Sequence, residues 1–157
     1  MTELDITNVK IVDLLMENGR MSAAEIARRV GGISERSVRY RIQRMEEEGF
    51  IKVSAIVNPK LIGLTVIADV FIEVESGRIS EVAHQLAEFE YISYVACAIG
   101  ERDISVQVVA HDSDEVYTVV TEIIGKLPGI RKTTTSIVPL VLKDVYEWHI
   151  PKSALCS

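Results

Sequence analysis

Six arginines fall between Arg28 and Arg44, at positions 28, 29, 36, 39, 41 and 44, against a single acid, Glu35. Guanidinium groups gathered this way bind anions, phosphate above all. The chain around them is acidic, with 17 Lys+Arg against 23 Asp+Glu and a net charge of -6. Charge alone fits an anion-binding face and a merely solvated helix surface equally well. Spacing separates the two. At about 100° per residue, Val38, Ile42 and Met45 share one helical stripe, while Arg36, Arg39, Tyr40 and Gln43 share the opposite side with Arg44 at its flank. Arg36 and Arg39 can each make a bidentate contact to guanine O6 and N7 or clamp a phosphate, Gln43 can pair adenine N6 and N7, and Tyr40 can pack on sugar or a thymine methyl. Base contacts come mainly from the amino-terminal half of such a helix, which favours Arg36, Ser37, Arg39 and Tyr40, with Ser34 at its start. Arg28, Arg29 and Arg44 suit phosphate contacts that set register. Arg41 projects beside the apolar stripe and suits an internal ion pair.

The elements that must position these side chains are three helices. Asp5 can cap the first, which carries Val9, Ile11, Val12, Leu14 and Leu15 and stops at Asn18-Gly19. Ser22 with Glu25 has the spacing of a capping box and opens a short second helix that ends at Gly31-Gly32. Ser34 caps the third, which runs to Glu48 with Gly49 in the stop position. A short helix, a glycine turn and a helix with an arginine face describe a helix-turn-helix. Residues 1–52 form this unit, with balanced charge; the excess acid lies beyond it.

Residues 53–64 form an extended linker broken by Asn58-Pro59, and residues 65–143 a second unit. Its pattern is β-α-β-β-α-β: a β-branched run over Thr65–Glu75, a helix over Arg78–Phe89, strands over Ile92–Ile99 and Ile104–Ala110, a helix from Asp112 or Ser113 through Leu127, and a last strand over Ile130–Leu142. The fold class is therefore α+β, a winged helix-turn-helix followed by a ferredoxin-like sheet with helices on one side. The strands read as apolar on both faces, so the uncovered face is expected to bury itself against a second copy. Residues 144–157 form a tail with Trp148 and His149. No apolar run reaches the length of a membrane span, and the acidic start has no apolar core behind it. Cys97 and Cys156 show no metal-ligand spacing. The expectation is a soluble cytoplasmic protein.

Taken in order, Leu4-Asp5, Ile11-x-x-Leu14-Leu15, Asn18-Gly19-Arg20, Glu25-Ile26-Ala27, Ser34, Val38, Arg41-Ile42 and Glu48-Gly49-x-Ile51 resemble the amino-terminal half of the Lrp/AsnC family of transcriptional regulators. Gly100-x-x-Asp103, Leu127-Pro128-Gly129-Ile130 and Thr133-x-Thr135 with Ile137-Val138 resemble that family's ligand-sensing (RAM) domain. The resemblance implies binding to double-stranded DNA, dimers stacked further into tetramers or octamers, and an amino-acid effector at the contact between dimers. It implies no catalytic, metal or cofactor site. Carried onto this chain, the effector site uses Gly100, Glu101, Arg102 and Asp103 with Glu122, Thr133 and Thr135. Asp103 suits the ligand amine, and the threonine hydroxyls and loop amides its carboxylate. Three features depart from the family: a turn at Gly31-Gly32-Ile33 one residue longer than usual, Arg102 in the effector loop, and the tail.

Two other classes are weighed against this reading. An enzyme is disfavoured because His84, His111 and His149 are scattered, and the His-Asn-Tyr signature of the architecturally related sirohaem decarboxylases is lacking. A ligand-binding or assembly module without sequence-specific DNA binding would carry apolar anchors, not arginines, on the third helix.

Overall fold

In the computed structural model, residues 5–151 are described; Leu4 and Cys156 lie outside them. The chain forms two compact units. One comprises the residues up to Ile56 together with those from Leu142, and the other is Val57–Val141.

In the first unit, helices α1 (Ile6–Glu17), α2 (Ala23–Val30) and α3 (Glu35–Glu47) enclose a core of Ile11, Val12, Ile26, Val38 and Met45. Each helix begins where a short polar side chain takes up an amide that the helix leaves unpaired. Asp5 accepts from Asn8 N at 2.7 Å, Ser22 from Glu25 N at 3.2 Å and Ser34 from Ser37 N at 3.1 Å. The capping box expected at Ser22 is only half made, because the Glu25 carboxylate turns to Arg28 instead. Asn8, on the inner stripe of α1, is a buried polar residue. Its Oδ1 accepts from Arg41 at 2.8 Å, and Arg41 also donates to Asp5 at 2.7 Å, so one guanidinium clasps α1 to α3.

Through this clasp the unit is expected to lose stability in acid. Partial desolvation pushes the Asp5 carboxyl up, but the Arg41 and Asn8 hydrogen bonds and the Arg41 charge together hold it below the usual carboxylate range. A carboxyl depressed in the folded state contributes stability above its unfolded pKa and loses it as pH falls through the folded value. Asp5→Asn is therefore expected to flatten the acid limb of a pH titration of helical circular dichroism while leaving the neutral plateau helical.

Residues 51–58 carry no regular hydrogen-bonded element, and Val53 and Ile56 are exposed there. The tail returns to the first unit, where Ile150 packs on the core. Tyr146 and Trp148 line a cavity of about 490 Å3 with Leu15, Met16, Phe50 and Val53.

The second unit holds a four-stranded antiparallel sheet in the order β2-β3-β1-β4, with β1 Val66–Val74, β2 Ile92–Cys97, β3 Ile104–Ala110 and β4 Ile130–Ile137. Helix α4 (Ile79–Ala87) follows β1, and α5 (Ser113–Thr118) follows β3. Ala68, Val70, Ile72 and Val74 of β1 and Ile104, Val106 and Val108 of β3 point to the helical side and bury against Val82, Leu86, Val116 and Ile124. At about 25 cal/mol per Å2 of apolar surface, this burial is what holds the sheet and helices together.

Three expectations are corrected here. The last strand stops at Ile137 rather than Leu142: Val138 N makes a final 2.8 Å bond to Ile67 O, and Pro139 has no N–H with which to continue. The helix expected through Leu127 changes hand-hold partway, running as a π turn over Val119–Ile123 and a 3-10 turn over Ile124–Lys126. Gly125 permits that close winding, since a Cβ there would lie 3.1 Å from Val120 O. Finally, the open face of the sheet is not uniformly apolar. Ile67 and Phe71 share it with Asp69, Glu73, Ser105, Gln107, Thr134 and Ser136. Gln107 donates to Asp69 at 3.3 Å, and Ser93 donates to Gln107 at 3.3 Å. Antiparallel sheets with helices on one side alternate in this way.

Candidate nucleic-acid interface and effector loop

Gly31 and Gly32 both have positive φ, at 75° and 72°, a conformation that side chains with a Cβ rarely adopt. The pair turns the chain between α2 and α3, and Ser34 then restarts the helix. Val38 and Met45 are completely buried on the inner side of α3. With that side locked, Arg36, Arg39, Tyr40 and Gln43 are left exposed, while Ser37 and Arg44 are half-buried. Tyr40 is 59% exposed although it is a large aromatic residue, and the Arg44 guanidinium lies 5.9 Å from its ring centre. Because Ser34 fixes where α3 begins, Ser34→Ala should lower stability by ~1 kcal/mol, read as a fall in the thermal midpoint with the fold retained.

The arginines are not idle. Arg28 is held by Glu25, Arg39 by Glu35, and Arg44 by Glu48 at 2.8 Å. Gln43 donates to Glu47 at 2.7 Å. Arg29 makes two parallel bonds to Glu17, at 2.9 and 2.8 Å, that tie α2 to α1. Arg41 forms the internal ion pair that its place beside the apolar stripe suggested. Of the six arginines, Arg36 alone has no acidic partner among the described residues. The Glu25 and Glu17 carboxyls sit below their usual range, each chiefly through its arginine hydrogen bond.

The residues expected to hold an effector are spread over several elements of the second unit. Gly100–Asp103 joins β2 to β3, and Gly100 takes φ +151°. Ile104, Ile72 and Thr133 stand in register across three strands, so the loop and Thr133 share one end of the sheet. Thr133 and Thr135 pair with the buried Ile72 and Val70 and therefore face the helical side. Glu122 lies exposed in the π turn and is paired with Lys126; Glu101 is exposed. Asp103 accepts from Val74 N at 2.7 Å and gives its own N–H to Ile72 O, so it anchors the loop to β1. Arg102 departs from the group: its guanidinium lies 4.3 Å from the ring centre of Phe71, on the open face.

Sequence reasoning missed Asn8, the Arg29–Glu17 tie and the docking of the tail. Asn8 left a signal, a lone amide where the α1 stripe calls for an apolar side chain. The other two join residues far apart in the chain and left none.

Residues 4–52 match the family described as winged helix-turn-helix DNA-binding, and residues 67–147 match the Lrp/AsnC ligand binding domain. The chain belongs to the Lrp/AsnC family. An uncharacterized HTH-type transcriptional regulator of Pyrococcus horikoshii is 36% identical over 145 residues, 92% of this chain and 91% of that one. Escherichia coli AsnC superposes with a TM-score of 0.83 at 23% identity, over 92% of this chain and 99% of that one. A feast or famine regulatory protein from M. tuberculosis, complexed with L-methionine, superposes with a TM-score of 0.83 at 24% identity, over 94% and 99%. At these identities the two structures speak to the fold. This Lrp/AsnC protein is a DNA-binding transcriptional regulator rather than an enzyme.

Proposed function

We propose that this Lrp/AsnC regulator reads a roughly two-fold operator with α3, as a dimer or a higher assembly, and responds to an amino acid. The observation that carries the DNA reading is the division of α3: Val38 and Met45 locked into the core, and Arg36, Arg39, Tyr40 and Gln43 turned outward together. Arg36, Ser37, Arg39 and Tyr40 address base edges, Gln43 follows one turn later, and Arg28, Arg29, Arg44 and the Ser34 end of the helix set register on phosphates. Dimerisation uses the open face of the sheet, where Ile67 and Phe71 supply apolar area and the Ser93–Gln107–Asp69 chain supplies polar register. Its place is the cytoplasm, with the DNA.

The effector reading rests on the family's ligand-binding domain and on the methionine complexes of the M. tuberculosis protein and of a Neisseria meningitidis regulator. One oxygen of Asp103 is committed to Val74, which leaves the other to receive an amine. Thr133 and Thr135 and the amides of Gly100 and Glu101 suit the carboxylate, and Glu122 biases the choice of ligand side chain, whereas Arg102 is drawn away to Phe71.

Nuclease footprinting on the DNA upstream of the protein's own gene tests the DNA reading. Two protected half-sites one or more helical turns apart are expected; a single unpaired footprint would contradict the dimeric reading. Calorimetry against the twenty amino acids tests the effector, with heat expected from at least one, and none from any of them would remove the amino-acid role.

A further inference from the structure

Every arginine and amide on the proposed DNA-contacting face except Arg36 is already engaged by an acid of its own unit. Glu35 holds Arg39, Glu48 holds Arg44, Glu25 holds Arg28 and Glu47 holds the amide of Gln43. In three of these pairs a carboxylate occupies a guanidinium that the proposed function gives to DNA, a base edge for Arg39 and phosphate for Arg28 and Arg44. We propose that Glu25, Glu35 and Glu48 are internal stand-ins for the acceptors of DNA, displaced when the protein binds it, and that they hold its affinity for DNA below what the bare arginines would give. This rests on α3 being the reading helix.

The argument follows from what each kind of contact is worth. All three pairs are solvent-exposed, with side chains 26–73% accessible, and exposed ion pairs are weak and screened by salt. A bidentate contact to the right base outweighs such a pair, whereas a lone phosphate contact on random sequence barely does. Breaking such a pair is a cost set in the free protein, so an internal acid lowers affinity by the same factor for every duplex on which its arginine is engaged. Arg36, with no acidic partner among the described residues, is the group free to engage first. The arrangement also accounts for the acid-rich end of α3. Glu47 and Glu48 reach back to Gln43 and Arg44, so they occupy the face rather than merely flanking it.

The test compares the parent with a Glu35→Gln/Glu48→Gln double variant and with Glu25→Gln on the neighbouring helix, on operator and unrelated duplexes across a salt series. Glu46→Gln is the control, because Glu46 lies on the same helix and forms none of the ion pairs described here. Affinity for operator and for unrelated duplexes is expected to rise about three- to tenfold in the double variant, with a steeper fall of log K with log salt and no smaller rise on the operator than on unrelated DNA. Glu25→Gln should move the same way by less, and Glu46→Gln should change little. Unchanged non-specific binding in both variants, or an equal rise in Glu46→Gln, would overturn the proposal, the second result leaving only a general field effect. Unaltered operator binding by Arg36→Ala/Arg39→Ala would instead mean that α3 is not the reading helix. Helical circular dichroism of each variant confirms that neutralising the pairs has left the unit folded.

Discussion

Arg36→Ala combined with Arg39→Ala is expected to weaken operator recognition severely while the protein stays folded. Both side chains are exposed and neither contributes to the core of Ile11, Val12, Ile26, Val38 and Met45, so truncation leaves the helical unit intact. A bidentate arginine contact to guanine is worth ~1–3 kcal/mol of discrimination. The two residues stand one turn apart on one face, so their losses need not add, and the expected fall in operator affinity lies between about tenfold and a thousandfold. Binding to unrelated DNA should fall less, since phosphate contacts from Arg28 and Arg44 persist. The readout is the ratio of the two affinities, and a variant with the parent's ratio would remove both residues from base reading.

The second large effect is expected at Asp103. Its carboxylate satisfies the amide of Val74 at the end of β1, and its own amide is bonded to Ile72 O. Asp103→Ala deprives a buried residue's N–H of its acceptor, which costs ~1–3 kcal/mol and should lower the thermal midpoint by several degrees. Asp103→Asn keeps an acceptor oxygen and should cost far less, but it removes the charge that would bind a ligand amine. A structural residue alone would show the first effect without the second. A ligand residue would show loss of amino-acid response in Asp103→Asn at near-parental stability. The account predicts both, and an Asp103→Asn protein that responds normally would confine Asp103 to holding the loop.

The legible parts of this chain are the local ones. Asp5, Ser22 and Ser34 bond amides three residues away, so residue type and spacing suffice to place the helix starts. The inner stripe of α3 and the order of the sheet are equally readable, because one follows from a 3.6-residue period and the other from alternating strands and helices. The π turn at Val119–Ile123 was not readable. Its apolar residues, Val119, Val120, Ile123 and Ile124, keep a spacing that an ordinary helix would also bury. Arg102 stands in the loop proposed to hold the effector, yet its side chain folds onto Phe71, which is 31 positions away in sequence and beyond the reach of any local pattern. The pairing of Glu35 with Arg39 and of Arg44 with Glu48 lay in plain view at i,i+4 spacing. The spacing alone does not separate the two uses, because side chains that face DNA and side chains that face each other occupy the same surface.

The most direct test of the central claim is a mobility-shift titration of the DNA upstream of the protein's own gene, run across a salt series with unrelated competitor. The account predicts retarded complexes that survive competitor and weaken steeply as salt rises. A folded protein that binds operator and competitor equally, at every salt concentration and with or without amino acids, would contradict it.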